Sequence, residues 1–376
     1  MKKTLPPILL AAMALDLGGA ETHVISLARE LKRRGQKVMV ASAGGRMVSM
    51  LSDVGIPHFQ IPMDSRSPVV LFRAYRLLRR LMVEQEVGLV HAHARIPAWL
   101  SSLALGRRDV PFLTTYHGVY NAALPWKYLT TFGQRTIAVS DDVRRHLIER
   151  LGAPGGQVRV IPNGFDTNLF RPGLDIAPLL TEFGVKASGP HLVHASRLDG
   201  PFADVATTLL DALPLIEREL PGVRLWILGD GDRGDEVRRR ADQTNQTMGR
   251  QAATAVNFRL DVPRFFNLAD CVVAVARTAI EGMACARTVV VAGEGGYRGI
   301  LTPDRLDDWA AANFTAREGG RLLNAAEMAA DVVRVLKPEA APLRQSYGEA
   351  GRRYVVENLS IEAITKQILE VYAEVL

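Results

Sequence analysis

Short apolar runs alternate with amphipathic helical stretches along almost the whole chain of 376 residues. The first pair is "PILLAAMAL", an apolar run of strand length, followed by "GGAETHVISLARELKRRG". In the second stretch, apolar residues recur at helical spacing: Ala20, Val24, Leu27, Ala28 and Leu31. Gly35 stands where such a helix would end. Strands that alternate with helices in this way predict parallel sheets covered on both faces, which is an α/β fold.

The opening run also has the outline of a cleavable export signal, because it follows two lysines and leads to small residues. However, it follows two prolines and continues directly into the amphipathic helix. Cleavage would therefore remove the first strand of the predicted sheet. We expect a first strand and a cytoplasmic protein. The sequence has two cysteines, Cys271 and Cys285, and both lie in apolar segments. We therefore expect no disulfide framework, which also favours the cytosol.

A chain of this length predicts two domains rather than one. The strand and helix alternation lapses after its first half and then restarts with "HLVHASRL". We predict a Rossmann-like domain over 1–172, a linker over 173–190 and a second Rossmann-like domain over 191–355. A C-terminal helix over 356–376 should fold back onto the first domain. Its apolar face consists of Ile361, Ile364, Ile368 and Val371.

The net charge differs between the two halves. Residues 1–172 hold 23 Lys and Arg against 12 Asp and Glu, a net charge of +11, and the rest hold 23 against 28, a net charge of −5. A basic first half suits an anionic membrane or an anionic substrate better than a nucleic acid, although a solvated surface is the simpler alternative. The basic helix "FRAYRLLRRL" (72–81) could rest on anionic lipid or pack on the sheet. Its predicted apolar side consists of Phe72, Leu77, Leu78 and Leu81.

Candidate ligand-binding groups follow the ends of predicted strands. Gly18 and Gly19 open a helix, so that backbone N–H groups would face the edge of the sheet, unless the pair is only a tight turn. The stretch "LGGAET" lacks the G-x-G-x-x-G of dinucleotide-binding proteins. Arg197 ends a strand of the second half, where a guanidinium can hold a diphosphate. His91 and His93 lack the further ligands of a metal ion, so we expect a structural role and no metal site.

Eight short stretches, in order along the chain, resemble the retaining glycosyltransferases of family four, which have the GT-B architecture. They are "GGAE", "HAH", "TYHG", "AVS", "IPNGFD", "SRLD", "ILGDGD" and "EGMACA". The resemblance covers about residues 8–300 and depends on the ordered set rather than on any one piece. It implies two Rossmann-like domains that face each other across a cleft. The second domain would hold a nucleotide-diphosphate sugar and the first would present an acceptor hydroxyl, with retention at the anomeric carbon.

The resemblance also implies roles for individual residues. His117 of "TYHG" would lie near the transferred sugar and hydrogen-bond it, although a lone histidine is more often structural. Asn163 of "IPNGFD" and Gly229 of "ILGDGD" would line the substrate site. Family members usually carry a lysine five residues after the arginine that corresponds to Arg197, and this chain has Phe202 there. A phenyl ring cannot offset phosphate charge, so another group would have to stabilise the leaving diphosphate.

The stretch "ARTAIE" (276–281) departs from the family pattern. Most members carry two glutamates seven residues apart here, and this chain has only the second, Glu281, on a shortened loop similar to that of the lipid-linked peptidoglycan N-acetylglucosaminyltransferase. The amides of Thr278 and Ala279 at the helix start, with the charge of Arg277, would then bind the diphosphate. Glu281 would accept hydrogen bonds from ribose hydroxyls, or would only favour the helix dipole.

These features together predict a metal-independent glycosyltransferase with no cofactor and with His117 and Arg197 as catalytic residues. It would move a sugar from a nucleotide-diphosphate donor, with UDP favoured, to a glycan or lipid-linked hydroxyl in bacterial envelope polysaccharide or glycolipid synthesis. We expect no nucleic-acid partner, and peripheral contact with the inner, anionic face of the membrane stays open beside a purely cytoplasmic location. Two alternatives stay open: a scaffold protein with a degenerate site, and a nucleotide-sugar epimerase, which would need no acceptor.

Overall fold

A computed structural model describes residues 5–16, 18–317 and 319–376, and the chain divides into two compact units. Unit 1 runs to Asp166 and also includes Asn358–Leu376, whereas unit 2 is Thr167–Glu357. The predicted domains end at residues 172 and 355, a few residues from these boundaries. The predicted linker differs, because residues 173–190 belong to unit 2.

Unit 1 contains a seven-stranded sheet whose strands all run parallel. The strands are β1 (Ile8–Ala11), β2 (Val38–Ser42), β3 (His58–Gln60), β4 (Leu89–His93), β5 (Phe112–Tyr116), β6 (Arg135–Ala138) and β7 (Val158–Val160). Their order is β3-β2-β1-β4-β5-β6-β7. The run read alternatively as an export signal thus forms β1, which pairs with β2 and β4 and is fully buried.

Helices cover both faces of this sheet. They are α1 (Gly19–Arg33), α2 (Ser49–Ser52), α3 (Pro68–Glu84), α4 (Arg95–Leu105) and α5 (Asp141–Glu149). Helix α1 buries Val24, Leu27, Ala28 and Leu31, which are four of the five residues predicted for its apolar face. It ends before Gly35, whose φ of 81° is a conformation that glycine adopts without strain.

The basic helix α3 presents a different face from the predicted one. Leu78 and Leu81 are buried against the sheet as expected, but the side chain of Phe72 is 61% exposed. The residues that α3 buries recur every three to four positions from Ala74 to Met82, and Phe72 falls outside this stripe. The outer face of α3 therefore combines exposed arginines with exposed apolar side chains, among them Val69 and Val83.

Unit 2 contains a six-stranded sheet in which five strands are parallel and the last is antiparallel. The strands are β8 (His191–Ala195), β9 (Arg224–Leu228), β10 (Ala253–Val256), β11 (Cys271–Ala274), β12 (Thr288–Gly293) and β13 (Gly296–Ile300). Their order is β10-β9-β8-β11-β12-β13. The first five strands of unit 2 thus repeat the order of the five strands from β3 to β5 in unit 1.

One helix of unit 2 lies where the sequence predicts a linker. The helices of this unit are α6 (Ala177–Phe183), α7 (Gly200–Glu219), α8 (Gly234–Met248), α9 (Val262–Leu268), α10 (Ala276–Ala284), α11 (Leu306–Ala311), α12 (Ala325–Leu336) and α13 (Ala341–Tyr354). Helix α6 lies inside the predicted linker. The ring of Phe183 lies 5.0 Å from that of Trp226 and 5.9 Å from that of Phe265, centroid to centroid, so this segment packs on unit 2.

The last helix, α14 (Ile361–Val375), returns to unit 1 as predicted. All four residues expected on its apolar face are buried in the core that α1 and β1 share. The hydroxyl of Ser360 caps the helix by accepting a hydrogen bond from the amide of Ala363 at 3.3 Å. A backbone pair between Phe165 and Ser360 fixes the point where the chain re-enters unit 1.

Cys271 and Cys285 are both buried and free. Burial raises the pKa of both thiols, to about 12 for Cys285. Within the described ranges, no helix combines the length and the apolar character that crossing a membrane requires.

Candidate active site

In each sheet, the direction in which successive strands are added reverses beside the strand that comes first in the chain. In unit 1 the chain moves from β1 to β2 and β3 on one side and then crosses to β4 on the other, and in unit 2 it moves from β8 to β9 and β10 and then crosses to β11. The loops that leave the two central strands therefore diverge and open a crevice at the carboxyl edge, where sheets of this kind bind ligands. The predicted site residues of each unit all follow strands at that edge.

In unit 2, the loops after β8 and β9 are locked together. Gly229 has a φ of 149°, and a Cβ atom added to it would lie 1.9 Å from the carbonyl oxygen of Ser196. The amide of Asp232 donates to Oδ1 of Asp199 at 2.8 Å, and the amide of Leu198 donates to a carbonyl of the other loop. The predicted residue Gly229 is thus required by the close approach of two loops.

Arg197 extends from the loop after β8 and is exposed. Its guanidinium carbon lies 5.4 Å from the ring centroid of Phe202, within the range of a cation–π contact. The residue that replaces the family's lysine therefore supports the arginine and supplies no charge of its own. The guanidinium keeps its hydrogen-bond donors available for an anion at this edge.

The connection between β11 and α10 is one residue long, since the strand ends at Ala274 and the helix begins at Ala276. Ala276 has a φ of 51°, which is unfavourable for a non-glycine residue, and its amide donates to the carbonyl of Phe314 at 2.9 Å. Helix α10 thus starts at the edge where Arg197 lies, because β11 pairs directly with β8. The amide of Thr278, predicted to face a diphosphate, is engaged with the carbonyl of Val275 at 3.2 Å.

Arg277 and Glu281 form an ion pair within α10, with Nε of the arginine 2.7 Å from Oε1 of the glutamate. Both side chains are largely buried, and Ala279 between them is fully buried. Burial raises the pKa of Glu281, and the charge of Arg277 opposes that rise. The two residues predicted to bind diphosphate and ribose therefore neutralise each other in this structure, and a ligand there would meet a paired arginine rather than an open one.

His194 links β8 to β11, and Ser196 hydrogen-bonds to it. Neither residue is among those predicted from the sequence. Nδ1 of His194 donates to the carbonyl of Val273 at 2.8 Å, which leaves Nε2 to accept from the hydroxyl of Ser196 at 2.9 Å. Burial lowers the pKa of His194 to about 4, so the ring is neutral at pH 7. These bonds hold the side chain of Ser196, and its amide donates to the carbonyl of Leu228 at 3.0 Å, so the residue directly before Arg197 is fixed.

In unit 1, Gly18 caps α1, and the helix begins at Gly19 as predicted. The carbonyl of Gly18 accepts hydrogen bonds from both the amide and the hydroxyl of Thr22. The N-terminus of α1 therefore lies at the carboxyl edge of β1, next to the loop after β4. The preceding residue, Leu17, lies outside the described residues.

His117 has both of its ring nitrogens within hydrogen-bond distance of protein atoms. Its Nδ1 lies 2.9 Å from Oδ1 of Asn163, and its Nε2 lies 3.1 Å from Nδ1 of His93. Burial lowers the pKa of His117 to about 4. Two residues predicted to bind substrate, His117 and Asn163, are thus brought together, but the side chain of each is engaged with its neighbour.

Two further histidines pack around this pair. Nδ1 of His91 lies 2.8 Å from the hydroxyl of Tyr372 in α14, and its Nε2 lies 2.7 Å from the hydroxyl of Thr115. Nδ1 of His23 accepts from the amide of Gly164 at 3.0 Å. Burial lowers the pKa of His91 to about 3 and that of His93 well below its usual value. Within the described residues, no group of three or more His, Cys, Asp or Glu side chains could hold a metal ion.

Comparison with known proteins identifies a glycosyltransferase domain in each unit. Residues 17–169 match the model of Glycosyltransferase Family 4, and residues 189–337 match that of Glycosyl transferases group 1. The chain thus carries the two Rossmann-like domains of the GT-B fold, as predicted.

Three known proteins show how far the similarity extends. A phosphatidyl-myo-inositol mannosyltransferase of Mycolicibacterium smegmatis is 30% identical over 237 residues, which are 60% of this chain and 58% of that protein. A D-inositol 3-phosphate glycosyltransferase of Kineococcus radiotolerans is 26% identical over 79% of this chain and 82% of that protein. The crystal structure of the Anabaena protein HepE with UDP and glucose covers 98% of this chain and 100% of its own, with a TM-score of 0.75 and 18% identity. The match to the mannosyltransferase spans less than two thirds of its length.

Proposed function

We propose that this chain is a retaining, metal-independent glycosyltransferase that moves a sugar from a UDP-sugar to a hydroxyl of an anionic, lipid-linked acceptor. The observation that carries the proposal is the position of Arg197, exposed at the switch point of unit 2 on a loop that Gly229 and Ser196 lock in place. A guanidinium at such an edge can bind a diphosphate and stabilise its charge as it leaves. HepE, which shares the fold, binds UDP and glucose.

The acceptor class rests on the relatives and on charge. The two relatives are named for activities on phosphatidyl-myo-inositol and on D-inositol 3-phosphate, and both compounds contain an inositol that carries a phosphate. The first 172 residues of this chain have a net charge of +11, which attracts anionic molecules. A polyol hydroxyl on a phosphate-bearing acceptor fits both observations, and the phosphatidyl group named for the first relative supports a lipid-linked one.

In the proposed reaction, the acceptor oxygen attacks the anomeric carbon on the face from which UDP departs. The bond between that carbon and the diphosphate oxygen breaks, and the acceptor proton passes to a phosphate oxygen of the leaving UDP. Arg197 stabilises the diphosphate, and the positive N-terminal end of α10 adds to this effect. The one-residue connection before α10 supports the similarity to the donor site of the peptidoglycan N-acetylglucosaminyltransferase.

Calorimetric titration with a panel of UDP-, GDP- and ADP-sugars tests the proposal. We expect UDP and a UDP-sugar to bind, and the substitution Arg197→Ala to weaken UDP about 10- to 100-fold while uridine affinity stays unchanged. Arg218→Ala, at the far end of α7, is the matched control and should bind as the wild type does. No heat with any donor would indicate a scaffold protein, and altered nucleotide sugar released without an acceptor would indicate an epimerase. Either result contradicts the proposal.

The outer face of α3 supports peripheral contact with an anionic membrane. Phe72 and Val69 are 61% and 78% exposed, and Arg73 and Arg76 are exposed beside them, an arrangement typical of interfacial helices. Reversing the charge of both arginines to glutamate should reduce cosedimentation with phosphatidylglycerol vesicles at least about tenfold, since each cation near such a surface contributes about 1 kcal/mol. Arg108→Glu, on the loop after α4, is the control. Equal binding to zwitterionic vesicles would refute an electrostatic attachment.

A further inference from the structure

The hydrogen bonds around His117 determine where its proton lies. Oδ1 of Asn163 can only accept, so Nδ1 of His117 carries the proton and donates to it at 2.9 Å. In a neutral ring the other nitrogen, Nε2, then has a lone pair. Nδ1 of His93, 3.1 Å away, must therefore donate to it. The chain of bonds runs from His93 through His117 to Asn163.

This arrangement leaves one nitrogen of His93 with a bare lone pair. His93 is 2% exposed, and its Nε2 has no hydrogen-bond partner among the residues that the structure describes. The neighbouring ring of His91 has both nitrogens engaged, by Tyr372 and Thr115. Buried hydrogen-bond acceptors almost always have a donor. A buried acceptor without one, at the carboxyl edge of a parallel sheet, therefore calls for a donor from outside the protein.

The chemistry of that donor is restricted. A lone pair repels phosphate and carboxylate oxygens, which carry no proton at neutral pH, and it accepts from a hydroxyl group. His93 is the last residue of β4 and borders the switch point of unit 1. Arg197 of unit 2 suits the anionic part of a nucleotide sugar, whereas Nε2 of His93 suits an uncharged hydroxyl group of a sugar or polyol, including one that carries a phosphate elsewhere.

We propose that Nε2 of His93 accepts a hydrogen bond from a ring hydroxyl of the sugar or polyol substrate, and that His117 and Asn163 are positioning residues that keep the proton of His93 on Nδ1. The proposal rests on the proposed function, because it assumes that unit 1 meets such a substrate. It reverses the roles expected from the sequence, in which His117 met the sugar and His93 was structural.

Two variants of His93 test the roles of its two ring nitrogens separately. In His93→Asn the side-chain amide still donates to His117 but has no atom in the place of Nε2. In His93→Gln the amide oxygen approaches the place of Nε2 and the bond to His117 is lost. We expect His93→Asn to weaken binding of UDP-glucose or of D-inositol 3-phosphate about tenfold, with UDP affinity and melting temperature close to wild type. His93→Gln should retain part of the affinity.

The two probes distinguish the source of the hydroxyl. A loss confined to UDP-glucose assigns it to the donor sugar, and a loss confined to D-inositol 3-phosphate assigns it to the acceptor. Unchanged affinity of His93→Asn for every probe that the wild type binds would overturn the proposal. If the wild type bound UDP-glucose only through its UDP moiety and bound no inositol phosphate, the proposed hydroxyl contact would be absent and the proposal would also fall.

Nitrogen-15 spectra of histidine-labelled protein test the proton positions independently of activity. Protonated and bare imidazole nitrogens have well separated shifts, so His93 and His117 should both show a proton on Nδ1 and a bare Nε2. Asn163→Ala should shift both rings toward a mixture of the two tautomers, which a merely structural contact would not do. A proton on Nε2 of His93 in the wild type would refute the inference even if sugar transfer were demonstrated. Correct tautomers with no nucleotide sugar bound would instead contradict the proposed function.

Discussion

Acid should destabilise unit 1 through histidines that fold in the neutral form, and His91 provides the cleanest case. Burial lowers its pKa from 6.5 to about 3. Above pH 6.5 the ring is neutral whether the chain is folded or unfolded, so the free energy of unfolding does not depend on it. Between pH 6.5 and about 3 only the unfolded chain binds a proton at this ring, and stability falls as the pH falls. From pH 7.5 to 5.0 the loss from this one ring is about 2 kcal/mol.

The variant His91→Gln isolates this contribution. Gln cannot titrate, so its loss of stability between the two pH values should be about 2 kcal/mol smaller than that of the wild type, whatever its stability at pH 7.5. The assay is urea unfolding at pH 7.5 and 5.0. Hydrogen exchange of peptides from β4 and β5 is the probe, because these strands report on unit 1. His93 and His117 remain in both proteins and cancel in the difference. Equal losses, within the 10–15% extrapolation error typical of such measurements, would refute the assignment of a neutral buried ring.

Two further substitutions test contacts that support the candidate sites. Tyr372→Phe leaves a nitrogen of buried His91 without its partner and should lower the free energy of unfolding by about 1–3 kcal/mol in chemical denaturation. The exposed Tyr128→Phe should change it by less than about 0.5 kcal/mol. Gly229→Ala should cost about 1–3 kcal/mol and abolish UDP binding, because its Cβ would enter the backbone of the preceding loop. Gly156→Ala, which meets no atom within 4 Å, should do neither.

The strands and long helices were predictable because their patterns are local. The apolar run of β1 has no polar interruption, as expected for a strand buried on both faces. Helix α14 places four apolar residues at helical spacing over more than two turns, and all four are buried. In such segments the residues that the pattern predicts to be buried are the ones that pack in the core, so the local sequence is enough to predict the element.

The side-chain networks were not predictable, because each joins residues far apart in the chain. His93 and His117 are 24 residues apart, and Asn163 is 46 residues beyond His117. Helix α6 has only seven residues, too few for a clear periodicity, and Phe183 finds its partner Trp226 on a distant strand. The pair of Arg277 and Glu281 is different, since a spacing of four on a helix is itself a signal for an ion pair.

The two units share a backbone feature at equivalent positions, an alanine with positive φ followed by an arginine, but the two arginines have different partners. In each unit the strand that crosses over the first one, β4 or β11, is followed by an alanine with positive φ: Ala94 at 79° and Ala276 at 51°. Such a conformation costs about 1–3 kcal/mol and persists only where the surrounding structure requires it. An arginine follows each alanine. Arg95 donates to the carbonyl of Asn121 and is 8% exposed, whereas Arg277 pairs within its own helix. Both crossover arginines are thus held at least in part by protein groups. This supports the proposals that the exposed Arg197 after β8 binds the diphosphate and that His93 of unit 1 accepts from a hydroxyl.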